Sequence, residues 1–160
     1  TSSKASVVGY MDIDLATSLS HLIDIQELFC NDKGVKIVNG SRRLSNSIVK
    51  NRKWIRGITS HSFNKLLSVV LGVRFTDAMC GFKFFDLDIV LVLLKEAPEI
   101  TDWFICAELL IRAEWKYIDI NEIPVVWIDD PVSQVKIFKL SSQYLKHILR
   151  LFVEKHIYRL

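Results

Sequence analysis

The sequence predicts an α/β fold, and three observations carry that prediction. Short apolar runs rich in β-branched and aromatic residues, such as Val7-Val8-Gly9-Tyr10-Met11, alternate with longer stretches whose apolar residues recur at helical spacing. Of the 160 residues, 50% are hydrophobic and 24% charged, the balance of one globular domain with a buried core. No apolar run reaches the ~18 residues that cross a bilayer, so no transmembrane helix is expected, and no signal-peptide pattern is present.

The first strand covers Val7 to Met11 and delivers Asp12-Ile13-Asp14 at its carboxyl end. Thr17 or Ser18 is placed to cap a helix that carries Leu19, Leu22, Ile23 and Phe29 and ends near Asn31 to Gly34. Val35 to Val38 reads as a strand running into Gly40-Ser41-Arg42-Arg43, and the basic stretch beyond it shows no period until Ile55. A helix from Ile55 to Leu71 gathers Phe63, Leu66, Leu67 and Val70 on one side and stops at Gly72. Thr76 to Phe85 is expected as a loop and a strand, followed by helices from Asp88 to Leu94 and from Trp103 to Trp115. Tyr117 to Ile120 and Val125 to Ile128, separated by Pro124, read as two short strands or one bent one. Asp129-Asp130-Pro131 is a turn, and the remainder is helical with Leu145, Ile148, Leu151 and Phe152 on its apolar side. Strands need partners and a parallel sheet needs crossovers, and little chain precedes Val7 to supply them. The expectation is a fragment that begins inside a sheet.

Charge is unevenly spread around a net value of +3. Lys33 to Lys65 holds nine basic residues and no acid, whereas Leu66 to Asp130 holds five basic residues and twelve acids. Anions are expected to meet the first block. Only Trp54 and Phe63 interleave with it, which argues against stacking of single-stranded nucleic acid, and no nucleic-acid partner is expected. From Lys136 to Leu160 six basic residues face the single acid Glu154. Such a helix either lies on an anionic membrane surface or docks on the core with a wet basic side. Cys30, Cys80 and Cys106 are odd in number and lack CxxC spacing, which fits a reducing compartment. The four histidines sit at no metal-ligand spacing and receive no role.

Asp12 and Asp14 are the sharpest local feature. Two carboxylates at a strand's carboxyl end can turn toward one Mg2+ or Mn2+, ions that take one or two carboxylates and fill the rest of their shell with phosphates and waters. A surface turn beside a helix start is the alternative reading. Arg42, Arg52 and Arg56 offer planar forks to phosphate oxygens, and Ser60 lies one helical turn from Arg56. A solvated basic face is the alternative. Asp77 precedes Cys80-Gly81-Phe82-Lys83 and can orient a hydroxyl or act as a base, or be a turn aspartate. Glu108, beside Leu109 and Leu110, reads as a surface glutamate, because a buried one would need a partner.

Taken in order and spacing over roughly Val7 to Lys136, these pieces resemble the family 2 glycosyltransferases that act on polyprenyl phosphates. The residues that carry the resemblance are Tyr10-Met11-Asp12-Ile13-Asp14-Leu15-Ala16-Thr17, Gly40-Ser41-Arg42, Arg52, and Arg56 with Ser60 and Asn64. Asp77 to Lys83, Ala107-Glu108-Leu109-Leu110, Glu122-Ile123-Pro124-Val125 with Trp127, and Asp129-Asp130-Pro131-Val132-Ser133 complete it. The resemblance implies the carboxyl-terminal part of a GT-A-like, Rossmann-like domain over residues 1–136, a mixed sheet flanked by helices, and a basic amphipathic segment over 137–160. It implies that Asp12 and Asp14 hold Mg2+ or Mn2+ and the diphosphate of a UDP- or GDP-sugar. Arg42, Arg56 and Ser60 would hold the lipid phosphate. Ser133 belongs to a loop closing over the phosphates, with Gln134 where relatives often have Lys or Arg and Lys136 as substitute. Cys106 stands where relatives often carry aspartate.

The implied activity is an inverting transfer of a sugar to a dolichyl-type phosphate by the intact protein, at the cytoplasmic face of a membrane. The family's first third, with its base pocket, has no counterpart in these residues. Two alternatives stay open: a hydroxyl acceptor, with Asp77 as base, and a domain that binds lipid phosphate or a partner without turnover. Haloacid-dehalogenase phosphatases also place Asp-x-Asp after an early strand, but Ala16 stands where they carry Thr or Val.

Overall fold

A computed structural model describes residues 5–97, 102–129 and 137–157. The elements run β1 (Val7–Met11), α1 (His21–Asn31), β2 (Ile37–Ser41), β3 (Ile48–Lys50), α2 (Trp54–Leu71), β4 (Phe82–Asp86), α3 (Leu87–Glu96), α4 (Phe104–Trp115), β5 (Ile120–Pro124), β6 (Val126–Ile128) and α5 (Ile137–Ile157). One sheet has the order β1-β4-β2-β5, with β4 antiparallel to both neighbours and β2 parallel to β5. This is the expected α/β class, a mixed sheet flanked by helices and consistent with a GT-A-like domain.

Side-chain alternation along the strands builds two apolar layers. On β2, Ile37 enters a core with Leu67 and Leu71 of α2, Leu110 of α4 and Ile148 and Leu151 of α5. Its neighbour Val38 enters a second core with Ile25, Phe82, Val125 and Trp127. β2 begins at Ile37 and runs on through Ser41, later than the expected Val35 to Val38, and all five of its residues are buried, as in a strand covered on both faces. α2 ends at Gly72 in the left-handed region, φ 71, as its sequence predicted.

Several boundaries differ from expectation, each for a tertiary reason. α1 starts at His21, because Thr17 is bridged to Trp127 as extended chain and the Ser18 N–H donates to the Val126 carbonyl at 3.0 Å. Leu19, Leu22 and Ile23 are therefore exposed, and Ile25, with Leu28 and Phe29, enters the second core. The aperiodic basic stretch contains β3, a strand of three residues parallel to β6 and too short to show a period. β5 begins at Ile120, after a turn with Tyr117 at φ 58, and Pro124 ends it.

α5 docks on the first core through Tyr144, Ile148 and Leu151, while Leu145 and Phe152 stay exposed, so the expected apolar stripe mixed two faces. Glu108, expected at the surface, is fully buried on α4. Arg112 Nε donates to it at 2.9 Å and Arg150 of α5 donates to its other oxygen. Arg112 also forks onto Glu154 of α5 at 2.8 and 2.9 Å, so the one acid of the basic segment clamps α5 to α4.

Candidate functional site

At the end of β1 the chain turns away from its neighbour. The Asp12 N–H donates to the Gly81 carbonyl at 3.0 Å, the Leu15 N–H donates back to the Asp12 carbonyl at 3.0 Å, and Leu15 takes φ 51. Tyr10 Oη donates to Asp12 Oδ1 at 3.0 Å, and the Ala16 N–H donates to Asp14 Oδ1 at 3.1 Å. Each carboxylate thus keeps one oxygen free of hydrogen bonds from the described residues. Burial pushes the Asp12 carboxyl up from its ordinary value, the Tyr10 hydrogen bond opposes this, and the charge of Asp14 pushes it up further. Among the described residues no group of three or more His, Cys, Asp and Glu converges on a metal position. Two hard-oxygen ligands two residues apart, Asp12 half-buried and Asp14 exposed, suit an ion completed by substrate phosphates and water better than a closed protein cage.

The loop after Asp14 is tied directly to the basic block. The Ile128 N–H donates to the Ala16 carbonyl at 2.8 Å, so residues 16–18 flank β6 on one side while β3 pairs with it on the other. Trp127, at the centre of β6, carries the Arg42 guanidinium 5.0 Å and the Arg52 guanidinium 5.5 Å from its ring centroid. Arg56 Nη1 donates to Asp129 Oδ1 at 2.7 Å, and Arg52 Nη2 donates to the Arg56 carbonyl at 3.2 Å. Arg56 and Ser60 lie one turn apart on α2, as their spacing predicted. Arg52 Nε and Ser60 Oγ are buried and have no hydrogen-bond partner among the described residues. Burial and the Arg42 charge both pull the Arg52 guanidinium below its ordinary pKa, which an anion there would reverse.

Arg42 is occupied differently. Its Nε donates to Asp77 Oδ2 at 2.7 Å and its Nη2 to Asp77 Oδ1 at 2.9 Å, while the Arg42 and Met79 N–H groups donate to the same carboxylate at 3.1 and 3.2 Å. Burial alone would raise the Asp77 carboxyl, but the Arg42 guanidinium and these hydrogen bonds hold it below the usual carboxylate range. Lys83, fully buried on β4, lies in the field of Asp77 and Asp12 and donates to the Cys80 carbonyl; burial pulls it below the ordinary lysine value. Burial also pushes the Cys80 thiol up to about 11, an inert core thiol.

A pH dependence follows with a definite sign. The native pKa of Asp77 lies below its unfolded value, so its contribution to stability is present above pH ~3.9 and lost as pH falls through the native value. Urea unfolding followed between pH 7 and 2 is expected to show this acid loss, and Asp77→Asn is expected to flatten it. An unchanged acid limb in the variant would mean that the pair is not coupled to folding.

With the geometry in place, comparison with known proteins gives the kinship. No protein-family model matches the chain. Glycosyltransferase AglD of Haloferax volcanii is 30% identical over 160 residues, covering 98% of this chain and 25% of the relative. A dolichyl-phosphate beta-glucosyltransferase of Trichomonas vaginalis is 32% identical over 140 residues, covering 84% of this chain and 42% of the relative. A second such protein from the same organism is 25% identical over 141 residues, with 84% and 41% covered. Over most of its length this chain is similar to proteins named as glycosyltransferases. It spans from a quarter to about two fifths of the length of the curated relatives it matches.

In this glycosyltransferase relative the residues singled out from sequence form one connected neighbourhood. Asp12, Asp14, Arg42, Arg52, Arg56, Ser60 and Asp77 are joined through β6, the Asp12–Gly81 turn and the start of α2. Ser133, Gln134 and Lys136 lie outside the described residues, as does the turn at Asp130 and Pro131. Sequence reasoning missed what Trp127, Asp129 and Lys83 do. Lys83 carried a signal, a charged residue inside the apolar run Phe82 to Phe85; Trp127 carried none beyond its type.

Proposed function

We propose that the protein containing this chain transfers a sugar from a UDP- or GDP-sugar to a polyprenyl phosphate with inversion, at a membrane surface. The observation that carries this reading is the pair of buried, unpartnered donors, Arg52 Nε and Ser60 Oγ, placed beside Arg56 and joined through β6 to the Asp12–Asp14 loop. The names of the relatives support a dolichyl-phosphate acceptor.

The chemistry assigned to each group follows from its surroundings. A phosphate monoester is ionised at neutral pH and attacks without a general base. Arg52, Arg56 and Ser60 orient it and offset its charge, so that one oxygen forms the new bond to the anomeric carbon as the bond to the nucleoside diphosphate breaks. Asp12 and Asp14 would hold Mg2+ or Mn2+, which when bound offsets charge on the departing diphosphate. Arg42 and Asp77 act as a rigid pair behind this surface. A saturated carboxylate with a lowered pKa is a poor base, which favours the ionised phosphate over a hydroxyl as acceptor.

Exposed Trp54, Ile55 and Ile58 lie at the start of α2 among Arg52, Lys53 and Arg56, and Leu145, Leu149, Phe152 and Val153 are exposed on α5. Apolar side chains interleaved with cations support a peripheral position on an anionic leaflet, and free thiols support its cytoplasmic face. Among the described residues no helix is long and apolar enough to cross a membrane.

Transfer of labelled sugar from UDP-glucose or GDP-mannose to dolichyl phosphate, measured on the protein containing this chain, tests the proposal. Transfer that EDTA removes and Mn2+ restores is the expected result. Tight phosphate binding with no transfer from either donor would favour the non-catalytic binding domain instead.

A further inference from the structure

We infer that the indole N–H of Trp127 is a direct ligand of the phosphate held by the arginine cluster. The inference rests on the phosphate-acceptor reading above and adds to it a residue, a geometry and a signal. Trp127 is 7% exposed and its Nε1 has no acceptor among the described residues, whereas Trp115 Nε1 donates to the Leu71 carbonyl at 3.2 Å. An indole N–H can only donate, and leaving a buried donor unpaired costs about 1–3 kcal/mol. A packed site that leaves one donor unpaired is organised for an acceptor it does not itself supply.

The neighbours narrow the class of that acceptor. The guanidinium groups of Arg42 and Arg52 stack on the indole ring, so the ring is flanked by cations while its N–H edge is the positive end of its own quadrupole. Arg52 Nε and Ser60 Oγ also lack partners, and Arg52 is bonded to the carbonyl of Arg56, one turn from Ser60. Two of these three groups are donors only and the third can donate. A ligand rich in acceptor oxygens and negative charge satisfies them together; a neutral hydroxyl, which needs an acceptor of its own, does not. A phosphate monoester is that ligand. Because Nε1 is shut off from water, its pairing requires a neighbouring side chain to shift as the phosphate enters. Trp127 is also bridged to Thr17, three residues past Asp14, so the group that senses acceptor phosphate is fixed to the aspartate loop.

The indole N–H signals of the 15N-labelled protein provide the test, since the chain has four tryptophans and Trp127→Phe identifies one while keeping a ring for the guanidinium groups. Farnesyl phosphate is expected to move the Trp127 signal downfield and saturably, leaving that of Trp115 in place, and Trp127→Phe is expected to bind about tenfold more weakly. Should that variant fail to fold, Phe in place of Trp54, Trp103 and Trp115 in turn assigns three signals and leaves the fourth to Trp127. Inorganic phosphate giving an equal shift at equal affinity would support the ligand role and assign free phosphate as its source. Saturable binding of farnesyl phosphate with a stationary Trp127 signal and an unaffected Trp127→Phe would overturn the inference and leave the acceptor reading standing. Absence of binding by both phosphates would sink the acceptor reading, and the inference with it.

Discussion

Replacing Arg42 by Met is expected to lower the free energy of unfolding by about 3–5 kcal/mol, the range for removing one partner from a buried ion pair. The Asp77 carboxylate is fully buried and takes four hydrogen bonds, two of them from the Arg42 side chain. Methionine fills similar space but leaves the carboxylate with two backbone donors and no bonded cation. Asp77 would then be held protonated, its native pKa rising above the unfolded value, so the variant should lose stability as pH rises from 4 toward 7. The difference from the native protein should narrow in acid. Arg42→Met combined with Asp77→Asn leaves neither charge uncompensated and is expected to recover much of the loss, a coupling that urea unfolding of all four proteins measures. A loss below ~1 kcal/mol for Arg42→Met would mean that the pair behaves as a solvated surface bridge.

This pair shows where sequence reading reaches its limit. Arg42 and Asp77 each looked like groups for a ligand, because a sequence shows valence and not partners. The same blindness placed Glu108 at the surface, although Arg112 lies one turn ahead of it, since Arg150 and Glu154 complete the cluster from α5, 42 residues away. Conversely, α2 was legible to its last turn, because Phe63, Leu66, Leu67 and Val70 repeat at helical spacing and Gly72 takes the left-handed end that its lack of a Cβ favours. The strand β1 and its terminal aspartates were legible for a similar reason, a short β-branched run meeting two acids. β3 and the start of α1 were not, because their pairings with β6 and Trp127 outweigh local preference. Local order, β6 included, could be read from the chain; the neighbourhood that joins Asp12 to Arg52 depends on the pairing of β6 with β3 and with Thr17, which no local pattern encodes.

Gly81→Ala is expected to reduce sugar transfer by about 100-fold while the protein stays folded, the order of loss that follows when a reacting group is misplaced by ~1 Å. A Cβ at position 81 would fall 2.0 Å from Asp12 Cγ, 2.0 Å from Oδ2 and 2.2 Å from Oδ1, so the entire carboxylate must leave its present position. The backbone has no matching objection, since Gly81 does not lie in the left-handed region and its carbonyl still accepts the Asp12 N–H. The methyl group therefore acts on Asp12 rather than on the sheet. Asp12→Asn makes the complementary change, removing the charge while keeping shape and the Tyr10 contact within reach. If Asp12 helps to hold the metal and the donor diphosphate, both variants should need more Mn2+ for half-maximal transfer, with Asp12→Asn losing its response to pH and Gly81→Ala keeping it. If Asp12 only shapes the turn, Gly81→Ala should lower the melting temperature and leave both transfer and its Mn2+ requirement as they were.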